Sequence, residues 1–260
     1  MLKTRLISAA IAIPIVIGAV YLGGVWFAVG VGLFALIAGW EFDRMMQIGG
    51  HHSTPLFTLA LIAVLIYTSY QPDPEWLSVA LTAILLLSLA WQLFSTSPGP
   101  TVNWALTIAG GLYIGWGLGH LVALRQRPDG LAWVWLALIA TWGADTFAYF
   151  AGRTWGRHKL WPRHSPKKTW EGLIGSIFGG VLGAALITLL FGMNWAVTLL
   201  IGAIVPIVGL FGDLSISMMK REVGVKDSSN LFPGHGGFLD RIDSLLFVSL
   251  VVFYYALWLG

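Results

Sequence analysis

The 260-residue chain contains no cysteine, and only 10% of its residues are charged. The absence of cysteine excludes disulfide frameworks, thiolate nucleophiles and cysteine-ligated zinc or iron–sulfur centres. Hydrophobic residues instead make up 57% of the chain. Their runs are long enough to cross a hydrocarbon layer of about 30 Å repeatedly. The sequence therefore predicts an all-α, polytopic membrane protein.

Nine apolar segments are candidates for membrane helices. They span approximately residues 6–22, 25–40, 55–70, 76–94, 102–124, 131–151, 169–191, 194–214 and 240–259. Nothing in the sequence indicates a soluble module, so residues 1–260 are predicted to form a single membrane-embedded domain. We expect residues 1–100 to be generic apolar spans and residues 102–260 to carry the chemistry.

The distribution of cationic side chains predicts an orientation in the membrane. If Lys3 and Arg5 are cytoplasmic, nine crossings leave only Arg125 and Arg127 outside. This is the bias that the positive-inside rule describes. We therefore expect a multi-pass protein of the cell (inner) membrane, with its N-terminus in the cytoplasm and its C-terminus outside. The two longest polar stretches, residues 152–168 and 215–239, then form cytoplasmic loops.

The first of these loops is strongly basic and leads into the seventh predicted span. Ser165 followed by Pro166 is typical of a helix start, with serine as the N-cap and proline at the first helical position. The free amides of that helix would lie beside Lys167 and Lys168, an arrangement that suits phosphate. An anionic lipid headgroup is the ligand that this predicts. A solvated basic loop is an equally good interpretation of the arginines taken singly.

Four aspartates lie in predicted spans or at their ends. Asp145 is inside the sixth span, where an ionisable group indicates function by default, with structural pairing as the alternative. Asp213 ends the eighth span, and a metal ligand and an ordinary interfacial acid are comparably good interpretations of it. Asp240 and Asp243 share one face of the first turn of the ninth span. They favour Mg²⁺, which prefers oxygen ligands, over simple complementation of the helix dipole.

The spacing of the charged residues near the C-terminus is specific to one family. The pattern is Ser217-x-x-Lys220-Arg221, four residues, Lys226-Asp227, and then Phe232-Pro233-x-His235-Gly236-Gly237-x-x-Asp240-Arg241-x-Asp243. It resembles the complete signature of the phosphatidate cytidylyltransferases, also called CDP-diacylglycerol synthases. Residues from Asp145 to Gly172 fit a second block of the same family. We call residues 217–243 the signature segment.

The resemblance implies an enzyme that transfers CMP from CTP to the phosphate of phosphatidic acid, at the cytoplasmic face of a lipid bilayer. It implies Mg²⁺ or Mn²⁺ as the cofactor, with two metal ions and a monovalent cation as further options. A homodimer is compatible with it, and no nucleic-acid partner is expected.

The resemblance and the residue chemistry together give three sets of candidate site residues. The candidate catalytic residues are Asp213, Lys220, Arg221, Lys226, Asp227, His235, Asp240, Arg241 and Asp243. The candidate substrate-binding residues are Asp145, Arg153, Ser165, Lys167, Lys168, Thr169, Glu171, Ser217, Gly236 and Gly237. The candidate metal ligands are Asp213, Asp240 and Asp243, with Asp145 as a further option.

The composition of this set favours electrostatic catalysis. A phosphate monoester has a second pKa near 6, so the lipid phosphate is largely dianionic at neutral pH and already nucleophilic. A strong general base is therefore not required, and His235 is interpreted as a phosphate contact or a loop-positioning residue more readily than as a proton acceptor. Cations and metal ions would reduce the repulsion between the two anionic substrates.

Other functions remain open at the level of sequence. A polyprenol or phytol kinase, or an archaeal lipid cytidylyltransferase, would share the triphosphate and metal chemistry. A membrane transporter would also place acids in spans, but it should have paired broken helices near the middle of the membrane. A purely structural membrane protein would leave the cluster of charges without an explanation.

Two glycine ladders complete the pattern. Gly111, Gly115 and Gly119 recur at every fourth residue in the fifth span, and Gly175, Gly179 and Gly183 do so in the seventh. Small residues at this spacing let a neighbouring helix approach closely. We expect these ladders to form helix contacts within the chain rather than a dimer interface or a ligand groove.

Overall fold

The computed structural model of the chain describes residues 14–229, 231 and 236–260, and helices dominate it. Helix α1 is described over residues 14–22. The next helices are α2 Gly24–Ile48, α3 Pro55–Tyr70, α4 Pro74–Phe94, α5 Pro100–Arg125 and α6 Gly130–Thr154. Two short strands follow, β1 Lys159–Trp161 and β2 Ser165–Thr169, and then α7 Trp170–Phe191, α8 Trp195–Glu222 and α9 Leu239–Leu259. The predicted all-α class is confirmed.

The number of membrane spans differs from the expectation. Within the described part of the chain, seven helices are long and apolar enough to cross a membrane, namely α2 and α4 to α9. Helix α3 is apolar but has only 16 residues, and the start of α1 lies outside the described residues. The protein is thus a polytopic membrane protein, and the predicted count of nine spans is not confirmed.

Two helices extend well beyond the bounds predicted from hydropathy. Helix α2 continues to Ile48 and includes the buried acids Glu41 and Asp43. Helix α8 continues to Glu222, so Lys220 and Arg221 lie in its last turn and not in a loop. Cations in the last turn of a helix complement its dipole. Apolar runs alone missed these extensions because polar residues carry both helices past the end of the hydrophobic stretch.

The chain divides into two compact units. The first comprises Met1–Gln126 and Met219–Ile242, and the second comprises Arg127–Met218 and Asp243–Gly260. The prediction of a single membrane-embedded domain stays a prediction.

Glycines set the helix spacing inside each unit. In the first unit, a Cβ atom on Gly111 would lie 2.9 Å from Leu61 Cδ2, and one on Gly115 would lie 3.0 Å from the Cα atom of Ile62 in α3. In the second unit, a Cβ atom on Gly183 of α7 would lie 2.8 Å from the carbonyl oxygen of Ile139 in α6. These approaches exclude larger side chains. The expectation that the ladders form intramolecular helix contacts is confirmed.

The predicted helix start at Ser165 and Pro166 is wrong, whereas the predicted bounds of the seventh span, 169–191, agree with α7. Ser165 and Pro166 belong to β2, which pairs antiparallel with β1 through Lys159 opposite Thr169 and Trp161 opposite Ser165. Helix α7 begins at Trp170, and the N-cap is Thr169, whose hydroxyl accepts a hydrogen bond from the amide of Gly172 at 3.1 Å. Threonine is itself a good N-cap residue. Because Ser165–Thr169 form strand β2 of the hairpin, the first helical residue is Trp170, four residues after the predicted Pro166.

Candidate functional site

Asp240, in the first turn of α9, connects several parts of the signature segment in the first unit. Its Oδ1 atom accepts a hydrogen bond from Lys220 Nζ at 2.5 Å. Its Oδ2 atom accepts from the Ser228 amide at 2.8 Å, the Ser228 hydroxyl at 3.0 Å and the Gly237 amide at 3.0 Å. The Lys220 and Asp240 side chains are only 9% and 11% exposed. The charge of Lys220 is therefore held in a fixed, largely desolvated place.

A second carboxylate, that of Glu41 in α2, reaches the same segment from far away in the sequence. Its side chain is fully buried. It accepts hydrogen bonds from the hydroxyls of Ser228 and Ser229, at 3.1 and 2.5 Å, and from the amides of Phe238 and Leu239, at 2.9 and 2.7 Å. The first amides of a helix have no partner within the helix. Glu41 therefore satisfies free amides at the start of α9.

Sequence reasoning missed Glu41 because residues 1–100 were interpreted as generic apolar spans. The signal was nevertheless present. An acidic residue next to a long apolar run indicates function by the same rule that selected Asp145. We call Glu41, Lys220, Ser228, Gly237 and Asp240 the anchor cluster.

The other described residues of the signature segment surround this cluster. Gly236 has a left-handed φ of 77°, which favours glycine, and a Cβ atom there would lie 2.9 Å from Asp240 Oδ2. Arg221 donates from Nη1 to the carbonyl oxygen of Val225 at 3.0 Å and closes the turn after α8. Lys226 and Asp227 are exposed, and so is Arg241. The candidate His235 lies outside the described residues.

The second unit contains a cavity of about 380 Å³. Three charged side chains from different elements line it, Asp145 of α6, Lys168 of β2 and Asp213 of α8. Lys168 Nζ lies 2.5 Å from Asp213 Oδ2, and the Ser217 hydroxyl donates to Asp213 Oδ1 at 3.0 Å. The cavity thus brings together two of the acids that the sequence placed in separate spans. Ser165, Lys167 and Thr169 also line it.

Asp243 lies near this cavity because α8 and α9 pack closely there. A Cβ atom on Gly212 would lie 3.1 Å from the Cα atom of Ser244, and Ser244 itself lines the cavity. Asp243 accepts the amide of Ser244 at 2.6 Å and is largely buried. Gly212 directly precedes Asp213, so Asp213 and Asp243 come from adjoining positions on two packed helices.

Two predicted substrate-binding residues, Glu171 and Arg153, are not part of the cavity lining and have other contacts in the second unit. Glu171 lies 2.7 Å from the Nδ1 atom of His158 and accepts the His158 amide at 3.3 Å. Arg153 donates from Nη1 to the hydroxyl of Tyr149 at 2.6 Å. The contact of Glu171 joins the start of α7 to the residue before β1, and the contact of Arg153 lies within α6. Roles for Glu171 and Arg153 in substrate binding stay predictions.

The described residues contain no group of three or more histidine, aspartate or glutamate side chains placed to hold a single metal ion. The donor chemistry nevertheless suits a hard cation. Asp145 and Asp213 present carboxylate oxygens to one cavity, and Mg²⁺ is usually bound by one or two carboxylates together with water and substrate phosphates. Asp240 is less suited, because protein donors occupy both of its oxygens.

The anchor cluster leads to a prediction about local stability. In Asp240→Asn, the amides of Ser228 and Gly237 lose a charged acceptor, so they should exchange with deuterium about tenfold faster or more. Asp227→Asn is the matched control, because it removes the adjacent but exposed carboxylate. Hydrogen exchange followed by mass spectrometry measures both variants. Equal exchange rates in wild type and Asp240→Asn would show that Asp240 does not hold the segment.

Comparisons with known proteins identify the family of the chain. The sequence model of the cytidylyltransferase family matches residues 3–259. A phosphatidate cytidylyltransferase of Pseudomonas aeruginosa is 37% identical over 271 residues, covering 99% of this chain and 97% of the relative. Phosphatidate cytidylyltransferases of Staphylococcus haemolyticus and Staphylococcus aureus are 35% and 34% identical, and each alignment covers 95% of this chain and 96% of the relative. The likeness thus includes the first hundred residues, and the chain belongs to the cytidylyltransferase family.

Proposed function

We propose that the protein is a phosphatidate cytidylyltransferase, which converts CTP and phosphatidic acid to CDP-diacylglycerol and pyrophosphate. The observation that carries this proposal is the likeness to phosphatidate cytidylyltransferases over almost the whole chain. The aligned region includes the anchor cluster and the charged residues of the cavity. A nucleotidyltransferase that uses a lipid substrate also agrees with an integral membrane protein whose few charges are concentrated in these clusters.

The reaction is a substitution at phosphorus. An oxygen of the lipid phosphate forms a bond to the α-phosphorus of CTP, and the bond from that phosphorus to the oxygen bridging to the β-phosphate breaks. Pyrophosphate leaves with the electron pair. The lipid phosphate is largely dianionic at neutral pH, so it needs no proton acceptor. The protein has to align two anions and to reduce their repulsion.

The cavity of the second unit has the chemistry expected for the lipid phosphate. Lys168 is pre-positioned by its ion pair with Asp213. An ammonium group has three N–H donors, so Lys168 can keep that bond and donate to a phosphate oxygen as well. Lys167 lines the same cavity and adds positive charge. The apolar residues of the lining, such as Leu173 and Val205, suit the beginning of an acyl chain.

The signature segment of the first unit supplies the groups proposed for the phosphates of CTP. Lys220 is held by Asp240 but retains further N–H donors. Arg221, Lys226 and Arg241 are exposed cations of the same segment. Gly236 is only partly buried and lacks a side chain, so it leaves its backbone accessible to a polyphosphate, whereas the buried Gly237 donates its amide to Asp240. The role of His235 stays a prediction.

A divalent cation, Mg²⁺ or Mn²⁺, completes the proposal. Asp145, Asp213 and Asp243 are the residues that would hold it, because their carboxylates belong to the cavity or to the helix packing beside it. When bound, such an ion neutralises negative charge on the phosphate oxygens. A second metal ion, a monovalent cation and a homodimer stay predictions from the family resemblance.

We also infer that the basic hairpin and the signature segment face the cytoplasm, in the cell membrane of a bacterium. The bias of lysine and arginine toward one side of the membrane supports this orientation.

The reaction is tested with purified protein in detergent, phosphatidic acid, Mg²⁺ and CTP labelled in either the α- or the γ-phosphate. Label from the α-phosphate should appear in the lipid, and label from the γ-phosphate should appear in pyrophosphate. A lipid that carries γ-label would instead indicate a kinase, and labelled lipid should disappear when the metal is chelated. Failure to label lipid from either position would refute the proposed function.

The cavity assignment predicts a selective kinetic defect. Lys168→Met keeps an unbranched side chain as far as Cε but removes a charge-assisted hydrogen bond, which contributes about 1.5–3 kcal/mol. The KM for phosphatidic acid should therefore rise roughly ten- to a hundredfold, with little change in the KM for CTP. Lys159→Met is the matched control, because Lys159 is an exposed lysine of the same hairpin outside the cavity lining. Similar kinetics in the two variants would remove Lys168 from the lipid site.

The orientation is tested with single cysteines, which the natural chain lacks. A cysteine in place of Arg163, between β1 and β2, should react only with reagents that reach the cytoplasm. One in place of Gln71, between α3 and α4, should react only from outside, because the charge bias places these two loops on opposite sides. Labelling of intact cells and of inverted vesicles measures both. The reverse pattern would overturn the orientation.

A further inference from the structure

We propose that Glu41 is a positioning residue that holds the signature segment in the geometry needed for CTP, an inference that rests on the proposed function. Glu41 lies in α2, more than 170 residues before the signature segment. Among the described residues, its hydrogen bonds come from two hydroxyls and two backbone amides of this segment. Its effect on catalysis would therefore pass through the backbone that it holds.

The hydrogen bonds of Glu41 come from two separate places in the segment. Ser228 and Ser229 directly follow Lys226 and Asp227, and Phe238 and Leu239 directly precede Asp240. A single side chain thus holds the chain on both sides of Gly236 and Gly237. Any shift of the carboxylate would move the chain on both sides.

The chemistry of the position requires a carboxylate. Four donors converge on Glu41, two hydroxyls and two backbone amides. A carboxylate has two oxygens that accept several hydrogen bonds and no donor of its own. Glutamine has the same shape, but its amide nitrogen would face donors. At least one buried N–H group, that of Phe238 or Leu239, would then lose its acceptor.

The bonds continue from Glu41 to a cation of the proposed CTP site. The Ser228 hydroxyl lies within hydrogen-bond distance of both Glu41 Oε2 and Asp240 Oδ2. Asp240 in turn holds Lys220. There is also no spare room, because a Cβ atom on Gly237 would lie 2.6 Å from Glu41 Oε2. Displacement of Glu41 would therefore be transmitted to Lys220 rather than absorbed.

Asp43 gives a matched comparison two residues away. It is 1% exposed and lies in the same helix. Its Oδ1 atom accepts from the hydroxyl of Thr58 in α3 at 3.1 Å. Asp43 thus connects α2 to α3, whereas Glu41 connects α2 to the signature segment. Like Glu41→Gln, Asp43→Asn replaces a buried carboxylate of α2 with an amide. It leaves the hydrogen bonds of Glu41 in place.

The experiment compares Glu41→Gln and Asp43→Asn with wild type, using only folded, monodisperse protein. In Glu41→Gln, kcat should fall by about a hundredfold, as for other small misplacements of catalytic groups. The KM for CTP should rise about tenfold, and the KM for phosphatidic acid should stay within about twofold. Deuterium exchange at Phe238 and Leu239 should accelerate. Asp43→Asn should keep both KM values and the exchange at Phe238 and Leu239, even if its unfolding temperature falls.

A purely structural role would lower the amount of folded protein without separating the two KM values. Unchanged KM for CTP and unchanged exchange in folded Glu41→Gln would overturn the proposal, as would equal effects in Asp43→Asn. If Glu41→Gln does not fold, Ser229→Ala removes one of the four donors and should give a smaller change in the same direction. Wild-type protein that forms no labelled lipid would refute the proposed function, and the exchange data would then decide the role of Glu41 alone.

Discussion

The structure depends on the hydrogen-bond donors that surround its buried carboxylates. Burying an unpaired carboxylate costs several kcal/mol, so each buried acid has to be surrounded by donors. In the first unit, seven donor groups face Asp240 and Glu41, with the Ser228 hydroxyl within reach of both acids, and all seven belong to the signature segment. The segment therefore takes its shape from the need to satisfy these two acids.

In the second unit an acid is likewise paired with a cation, but this ion pair is more exposed to water. Asp213 pairs with Lys168, but their side chains are 32% and 24% exposed, compared with 11% and 9% for Asp240 and Lys220. Removing one partner from a buried pair costs about 3–5 kcal/mol, whereas an accessible pair can exchange partners at a smaller cost. The buried pair thus holds Lys220 in a fixed place, and the accessible pair suits a site where an incoming charged ligand exchanges with one partner.

Much of the fold could be predicted from the sequence, because hydrophobic runs and scarce charges are local signals. The membrane helices, the glycine contacts and the choice of Asp145, Asp213 and Asp240 as candidate site residues follow from such signals. The strand that contains Ser165 and Pro166 did not, because it depends on pairing with β1. Glu41 was missed for a related reason, since its donors lie 187 to 198 residues away. Contacts at such separations leave no periodic pattern in the sequence.

The bonds between α2 and the signature segment limit how the molecule can be divided. Two amides at the start of α9, those of Phe238 and Leu239, donate to Glu41, which lies in α2 near the other end of the chain. The signature segment therefore depends on α2 and does not form an independent structural unit. A chimera that joins the N-terminal helices of one relative to the C-terminal helices of another should tolerate large changes in lipid-facing residues. It will be sensitive to small changes in the distance between α2 and the two serines that follow Asp227.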